Sequence, residues 1–211
     1  IVCKADTAGL ASLERYIGAS GLASGSLTRG DINIVLGDRK LAKRFSSEKD
    51  FVREAAYCLE VTPKSIEIKA ITPKGAFYAI QSLRQMLYRG RELETCVVTD
   101  WPVMRYRGLM LDISRNFRDK EFIEKQIDAM ALLKMDKLHL HLTDVAGWRI
   151  QIDSKPRLTD VAAWRVGETW SQWVDFGKQY SHKDSPRASG GYLTKDDVRE
   201  IVAYAADRQI D

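Results

Sequence analysis

The sequence predicts an α/β fold in two segments: a small sheet-plus-helix domain over residues 1–104, then a run of β/α units over residues 105–211. Three observations predict it. In the first hundred residues, short segments with apolar side chains at every second position give way to an apolar stripe at helical spacing. Beyond residue 105 a continuous apolar run, a helical stripe and a second alternating segment follow one another with short connections, the pattern of a βαβ unit in a parallel sheet. Between the two segments, Asp100, Trp101 and Pro102 punctuate the chain.

Ile32, Ile34 and Leu36 alternate with polar residues and stop at Gly37. Tyr57, Leu59 and Val61 do the same before Pro63, and Ile66, Ile68 and Ala70 before Pro73. Three half-buried strands are predicted. Ala76, Ile80, Leu83 and Leu87 fall at i, i+4, i+7 and i+11, one face of a helix ending near Gly90, and residues 96–99 suit a further strand. Leu109, Met110 and Leu111 run on without a polar break after Gly108, as in a strand buried on both faces. Asp119 is placed to cap a helix with the stripe Ile123, Ile127, Met130 and Ala131, ending near Lys134. Leu138, Leu140 and Leu142 then alternate with His139, His141 and Thr143 in a second strand. Residues 144–191 keep no sustained period and carry four of the five tryptophans, which reads as a long functional loop. Thr194 with Asp197 resembles a capping box ahead of a helix whose stripe is Val198, Ile201, Val202 and Ala205. A third strand of this segment would begin at Ile210.

Composition narrows the function classes. Of 211 residues, 45% are hydrophobic and 29% charged, which excludes disordered and fibrous classes. The longest apolar run, residues 201–206, is far short of the roughly 20 needed to span a bilayer, and no basic segment followed by an apolar one opens the chain. The net charge of +4 is spread along the length, so nucleic acid is not an expected partner. Cys3, Cys58 and Cys96 are too few and too widely spaced for a disulfide framework or a zinc knuckle, and read as buried free thiols.

Loops at the C-terminal ends of parallel strands build sites in this architecture. Asp112 and Arg115 stand at the end of the first strand of the second segment, and His141 and Asp144 at the end of the next. The tryptophan-rich loop, beginning with Trp148, rises from the same edge. A fixed cation, carboxylates and aromatic rims suit a neutral polyhydroxylated ligand. Each residue also has a plainer role. Arg115 can pair with Asp119 or Glu121 on the surface, His139 and His141 can be satisfied core histidines, and Trp164, Trp170 and Trp173 can simply cover the loop. His139 and His141 on one strand face also begin, without completing, a metal-ligand set. His182 and the charges around it read as a solvated surface.

The motifs YRGLMLD at residues 106–112, ISRNF, KLHLHLTD, GWRIQI, PRLTDVAAWR and GGYLTKDDVREIVAYAADR, in that order, resemble the family 20 glycoside hydrolases, the β-N-acetylhexosaminidases. ITPKGAFYAIQSLRQML followed by VVTDWP resembles the small α/β domain ahead of the catalytic barrel in that family. The resemblance implies a (β/α)8 barrel and retaining hydrolysis of terminal β-linked N-acetylglucosamine or N-acetylgalactosamine, without a cofactor. The substrate's own acetamido oxygen is then the nucleophile, and an adjacent Asp-Glu pair orients it and moves the proton. It further implies that Arg115 grips sugar hydroxyls while His141 and Asp144 support the pocket, with Asp112 and Trp148 nearby. Where the family often continues with two acids and a glutamine, this chain reads Asp144, Val145, Ala146. The Asp-Glu pair is not found, and Asp196 and Asp197 begin a helix, so no catalytic residue is assigned here. Residues 105–211 are fewer than the about 250 of a barrel, so the expectation is a truncated barrel of two to three β/α units. Such a piece is expected to be inactive alone and to self-associate through an open edge. The family favours a periplasmic or secreted setting. Two other readings stand beside this one: a non-catalytic sugar-binding module, and a metal-dependent hydrolase using His139 and His141.

Overall fold

The computed structural model describes residues 2–4, 16, 32–87 and 93–211. These fall into two compact units. The first comprises residues 1–107, 129–136 and 206–210, and the second residues 108–128, 137–205 and 211.

The first unit holds β1 (Val2–Lys4), β2 (Ile32–Leu36), α1 (Arg39–Arg44), α2 (Asp50–Ala55), β3 (Tyr57–Val61), β4 (Ile66–Ala70), α3 (Pro73–Leu87) and β5 (Cys96–Asp100). Its sheet runs β1-β2-β4-β3-β5, parallel at β1/β2 and β2/β4 and antiparallel where β3 meets β4 and β5. The predicted alternation is realised: Ile34, Leu59 and Ile68 are essentially inaccessible, and Ala76, Ile80 and Leu83 of α3 complete the core. Pro73 stands at the first helical position, where its missing N–H costs no bond. The expected end of this helix near Gly90 lies outside the described residues, as does the Cys3 side chain. Cys58 and Cys96 are free but only half-buried: Cys58 sits on the less covered face of β3, and Cys96, opposite Val61 on the covered face, stands at the start of the edge strand β5.

The second unit begins with β6 (Gly108–Asp112), α4 (Lys120–Leu132) and β7 (Lys137–His141). The strands pair in parallel with Gly108 opposite Lys137 and Asp112 opposite His141, so the two strand ends are flush. The Asp119 carboxylate accepts from the Phe122 N–H at 2.9 Å, the predicted cap, and Ile123 and Ile127 are fully buried. The continuous apolar run of β6 is not buried on both faces. Met110 is 57% exposed, and its register partner His139 is exposed beside it, which also corrects the reading of His139 as a core histidine. Period-2 geometry puts both side chains on one face, and among the described residues no layer covers it.

Residues 144–191 are less irregular than their sequence suggests. A hairpin of β8 (Thr143–Asp144) and β9 (Gly147–Trp148) is followed by α5 (Arg157–Asp160), β10 (Trp164–Val166), α6 (Trp170–Asp175) and β11 (Ala188–Gly190), with β10 and β11 antiparallel. α7 (Lys195–Ala206) follows. Its reciprocal cap is formed: the Thr194 N–H donates to Asp197 at 2.8 Å and the Asp197 N–H to the Thr194 hydroxyl at 3.0 Å. Ile201 and Ala205 face inward as expected, but Val202 is 62% exposed, one helical step off the buried stripe.

Loss of an N-cap typically costs about 1 kcal/mol. Thr194→Ala is therefore expected to lower the melting temperature by about 2–4 °C for a protein of this size, read by thermal circular dichroism.

Candidate functional site

The flush ends of β6 and β7 gather the site. Asp112 closes β6 with one oxygen accepting the N–H groups of Ser114 (2.9 Å) and Arg115 (3.2 Å), a turn made by the carboxylate itself. Its other oxygen binds Arg115 Nη1 at 2.8 Å. Arg115 Nη2 reaches Asp144 Oδ2 at 2.5 Å, and His141 Nε2 lies 3.0 Å from both Nη1 and Asp144 Oδ2. Arg115 thus spans the two strand ends between two carboxylates, rather than pairing with Asp119 or Glu121. Of its five N–H donors, Nε–H and one on Nη2 have no partner among the described residues.

The Asp144 carboxyl is held below its ordinary value, first by the Val145 N–H at 2.6 Å, then by His141, with the Arg115 charge adding. The group therefore stays ionised to a lower pH than an ordinary aspartate.

Directly beneath lies a residue to which the sequence patterns assign no role. Arg149 is 1% exposed, and its guanidinium donates to the carbonyls of Ile113 (2.9 Å), Ser114 (2.8 Å), Ala163 (2.5 Å) and Gly191 (2.9 Å), with Ala146 at 3.4 Å. Its cation lies 5.7 Å from the centre of the Phe117 ring. Burial, with the nearby Arg165 charge, pushes its pKa down to about 10, so it remains charged at neutral pH. Two glycines make room for it. A Cβ on Gly147 would overlap the guanidinium, and one on Gly190, whose φ is +146°, would overlap the Ala163 carbonyl. Arg165, 3% exposed, acts in the same way in the adjoining layer, donating to the carbonyls of Arg115 (2.6 Å) and Glu168 (2.8 Å). The one signal for either residue is an arginine flanked by apolar residues, in GWRI and in AWRV.

The structure therefore brings Asp112, Arg115, His141 and Asp144 together. Trp148 takes no part in this cluster: its indole N–H donates to the Ile150 carbonyl at 2.6 Å. Trp164 likewise donates to Thr159, and Trp173 is buried, whereas Trp170 is 47% exposed beside Arg115. Among the described residues no group of three or more His, Cys, Asp or Glu side chains could hold a metal ion, so His139 and His141 have no third ligand there. Among the same residues no helix is long and apolar enough to cross a membrane. His182 is exposed, 3.3 Å from Asp184, as the sequence suggests.

Comparison with known proteins gives two family matches. Residues 104–211 match glycosyl hydrolase family 20, catalytic domain, and residues 2–101 match glycosyl hydrolase family 20, domain 2. A beta-hexosaminidase of Vibrio vulnificus is 37% identical over 159 residues, 75% of this chain and 19% of that protein. The N,N'-diacetylchitobiase of Vibrio harveyi is 37% identical over 164 residues, 77% of this chain and 19% of that protein. The chain thus spans about a fifth of the length of the curated relatives it matches. Among solved structures, the exo beta-N-acetylglucosaminidase of Vibrio harveyi in complex with N-acetylglucosamine superposes with a TM-score of 0.72 at 31% identity, over 99% of this chain and 31% of that one.

Two outcomes follow from this geometry. Arg149→Met strands at least four buried carbonyls at about 1–3 kcal/mol each before water compensates, so denaturant unfolding should show a loss of at least about 3 kcal/mol. The Asp144 carboxyl, followed by carbon-13 NMR, should titrate below 3.8, and Arg115→Gln should move its midpoint upward. Because the folded-state value is depressed, the stabilisation by this pair is complete above the unfolded value and disappears as pH falls through the folded one.

Proposed function

The chain belongs to glycosyl hydrolase family 20, and from that premise we propose that it carries the sugar-gripping portion of a retaining, substrate-assisted exo-β-N-acetylhexosaminidase acting on glycans with terminal β-linked N-acetylglucosamine or N-acetylgalactosamine. In this reading residues 1–104 are the domain ahead of the catalytic barrel, and residues 105–211 open the barrel. The carrying observation is the state of Arg115: two carboxylates more than offset its charge and fix its plane, and two of its N–H donors have no partner among the described residues. A neutral ring with adjacent hydroxyls fits such a fork, since a planar guanidinium reaches two acceptors at once. His141 and Asp144 hold the fork on the β7 side, and Asp112 holds it on the β6 side.

The chemistry assigned to this family needs a general acid and a group that orients the acetamido oxygen, as neighbouring Glu and Asp. Residues 1–211 contain no Asp followed by Glu. This favours a binding role for these residues taken by themselves.

Steady-state kinetics on the active enzyme carrying this chain tests the assignment. Arg115→Ala is expected to lower kcat/KM by about 2–4 kcal/mol, since charge-assisted hydrogen bonds to two hydroxyls are lost. Arg115→Lys should recover little, because an ammonium cannot reproduce the fork. Near-unchanged kcat/KM in the alanine variant overturns the assignment. Residues 1–211 alone should show no hydrolysis of a chromogenic N-acetyl-β-glucosaminide.

A further inference from the structure

We propose that the cavity between the Arg149 and Arg165 side chains binds a small monovalent inorganic anion of the size of chloride. The cavity encloses about 110 Å3, several times what one water molecule needs, and is lined by Asn116, Phe117, Arg149, Arg165, Glu168 and Ser189. That volume is well below the roughly 300 Å3 at which sites for organic ligands begin, so a sugar ring does not fit. The cavity shares no side chain with the strand-end cluster, and the proposal stands apart from the reading of Arg115.

Two buried cations meet there. Arg149 and Arg165 are 1% and 3% exposed, and among the described residues neither has a carboxylate within hydrogen-bonding distance. Carbonyls take all five N–H groups of Arg149, so it acts on the cavity through charge alone. Arg165 gives Nε–H to Gly167 at 3.3 Å, one Nη1–H to Arg115 at 2.6 Å and one Nη2–H to Glu168 at 2.8 Å. One N–H on each Nη is left without an acceptor among the described residues, a costly state for a buried donor. The Asn116 amide and the Ser189 hydroxyl, likewise without partners among the described residues, add uncharged donors to the lining. The opposition of the two guanidinium charges shows at Arg149, whose pKa is lowered to about 10 by burial and then by Arg165.

Charge sets the ligand class. The lining holds two arginines and one glutamate, a net single positive charge. Glu168 is exposed, and it meets Arg165 through its main-chain carbonyl, not its carboxylate. Asp112 attracts Arg149 more weakly, but its oxygens are engaged by Arg115 and the Ser114 N–H. Arg115, Asp112 and Asp144 are between 28% and 41% exposed, so solvent screens that cluster more than it screens the buried arginines. A water would meet the Arg165 donors and leave the two cations opposed. One negative charge neutralises the lining, whereas a second would face Glu168 and Asp112 without a cation of its own.

Chloride titration of the protein expressed from its complete gene, at constant ionic strength with bulky morpholinoethanesulfonate as the balancing anion, tests the site by thermal unfolding and by the line width of the chloride NMR signal. A saturable rise in Tm of about 2–4 °C is expected, with excess line broadening that bromide competes away. Asn116→Asp tethers a carboxylate at the same place, and should raise Tm in the absence of chloride while abolishing both chloride responses. Arg165→Gln should abolish them without that rise; if it does not fold, Asn116→Asp carries the comparison. Glu168→Gln removes the opposing charge and should lower the half-saturating chloride concentration severalfold. No chloride response in the unaltered protein, a linear response that any salt reproduces, or a response undiminished in Asn116→Asp overturns the site. A response seen only in Glu168→Gln also overturns it, since Glu168 is then the counter-ion. Sulfate matching chloride at equal concentration overturns the monovalent assignment.

Discussion

The second unit is organised around a charge that has no counter-ion within hydrogen-bonding distance among the described residues. The Arg149 guanidinium is buried and ringed by main-chain carbonyls from the β6–α4 connection, the β8–β9 turn, the entrance to β10 and the exit from β11. A buried cation is costly unless its donors are met, and carbonyl dipoles meet them without the entropy of ordering a second long side chain. That cost is visible in a pKa lowered to about 10. What it achieves is topological. Segments with little secondary structure of their own converge on one planar group whose donor directions are fixed, and their carbonyls have no other geometry available once it is in place.

The site inherits its precision from that arrangement. Ile113 and Ser114, whose carbonyls bind Arg149, also donate their N–H groups to the His141 carbonyl at 3.2 Å, and the next residue is Arg115. Arg165 then takes the Arg115 carbonyl itself. The backbone on both sides of Arg115 is therefore held before its side chain meets a carboxylate. This order matters energetically, because a half-exposed ion pair contributes little by itself when its partners must first be ordered. Here the ordering is done by buried hydrogen bonds, and the exposed charges only choose the direction of the fork.

What is legible of this arrangement in the sequence is whatever periodicity records. Alternation in KLHLH and the run in GLMLD locate two strands, Asp119 and the stripe behind it locate the helix between them, and a βαβ unit of that kind makes the strand ends neighbours. Asp112, Arg115, His141 and Asp144 follow from that alone. Which face of β6 and β7 is covered does not follow, because strict alternation is the same on either side, and so the pattern puts His139 inside when it is exposed. Arg149 and Arg165 are illegible for a different reason. Their partners are carbonyls, which every residue has, so no spacing of side chains announces them. The short elements between residues 144 and 191 escape likewise, since two- and three-residue strands are too brief to show a period.

One proton remains to be placed in the cluster. His141 Nε2 stands 3.0 Å from Arg115 Nη1, which only donates, and 3.0 Å from Asp144 Oδ2, which when ionised only accepts. A bare Nε2 would accept from Nη1 but turn a lone pair toward the carboxylate. A protonated Nε2 donates to Asp144, in keeping with the depressed value of that carboxyl, and leaves the facing Nη1–H without an acceptor. The second state satisfies the anion, whose lone pairs are the costlier to strand, at the expense of one arginine donor. The Nη1–H stays turned toward the imidazole, and of the other Arg115 donors Nε–H and the second Nη2–H remain without an acceptor among the described residues. Adjacent hydroxyl oxygens of a sugar supply acceptors in that geometry without bringing a charge that the two carboxylates would repel.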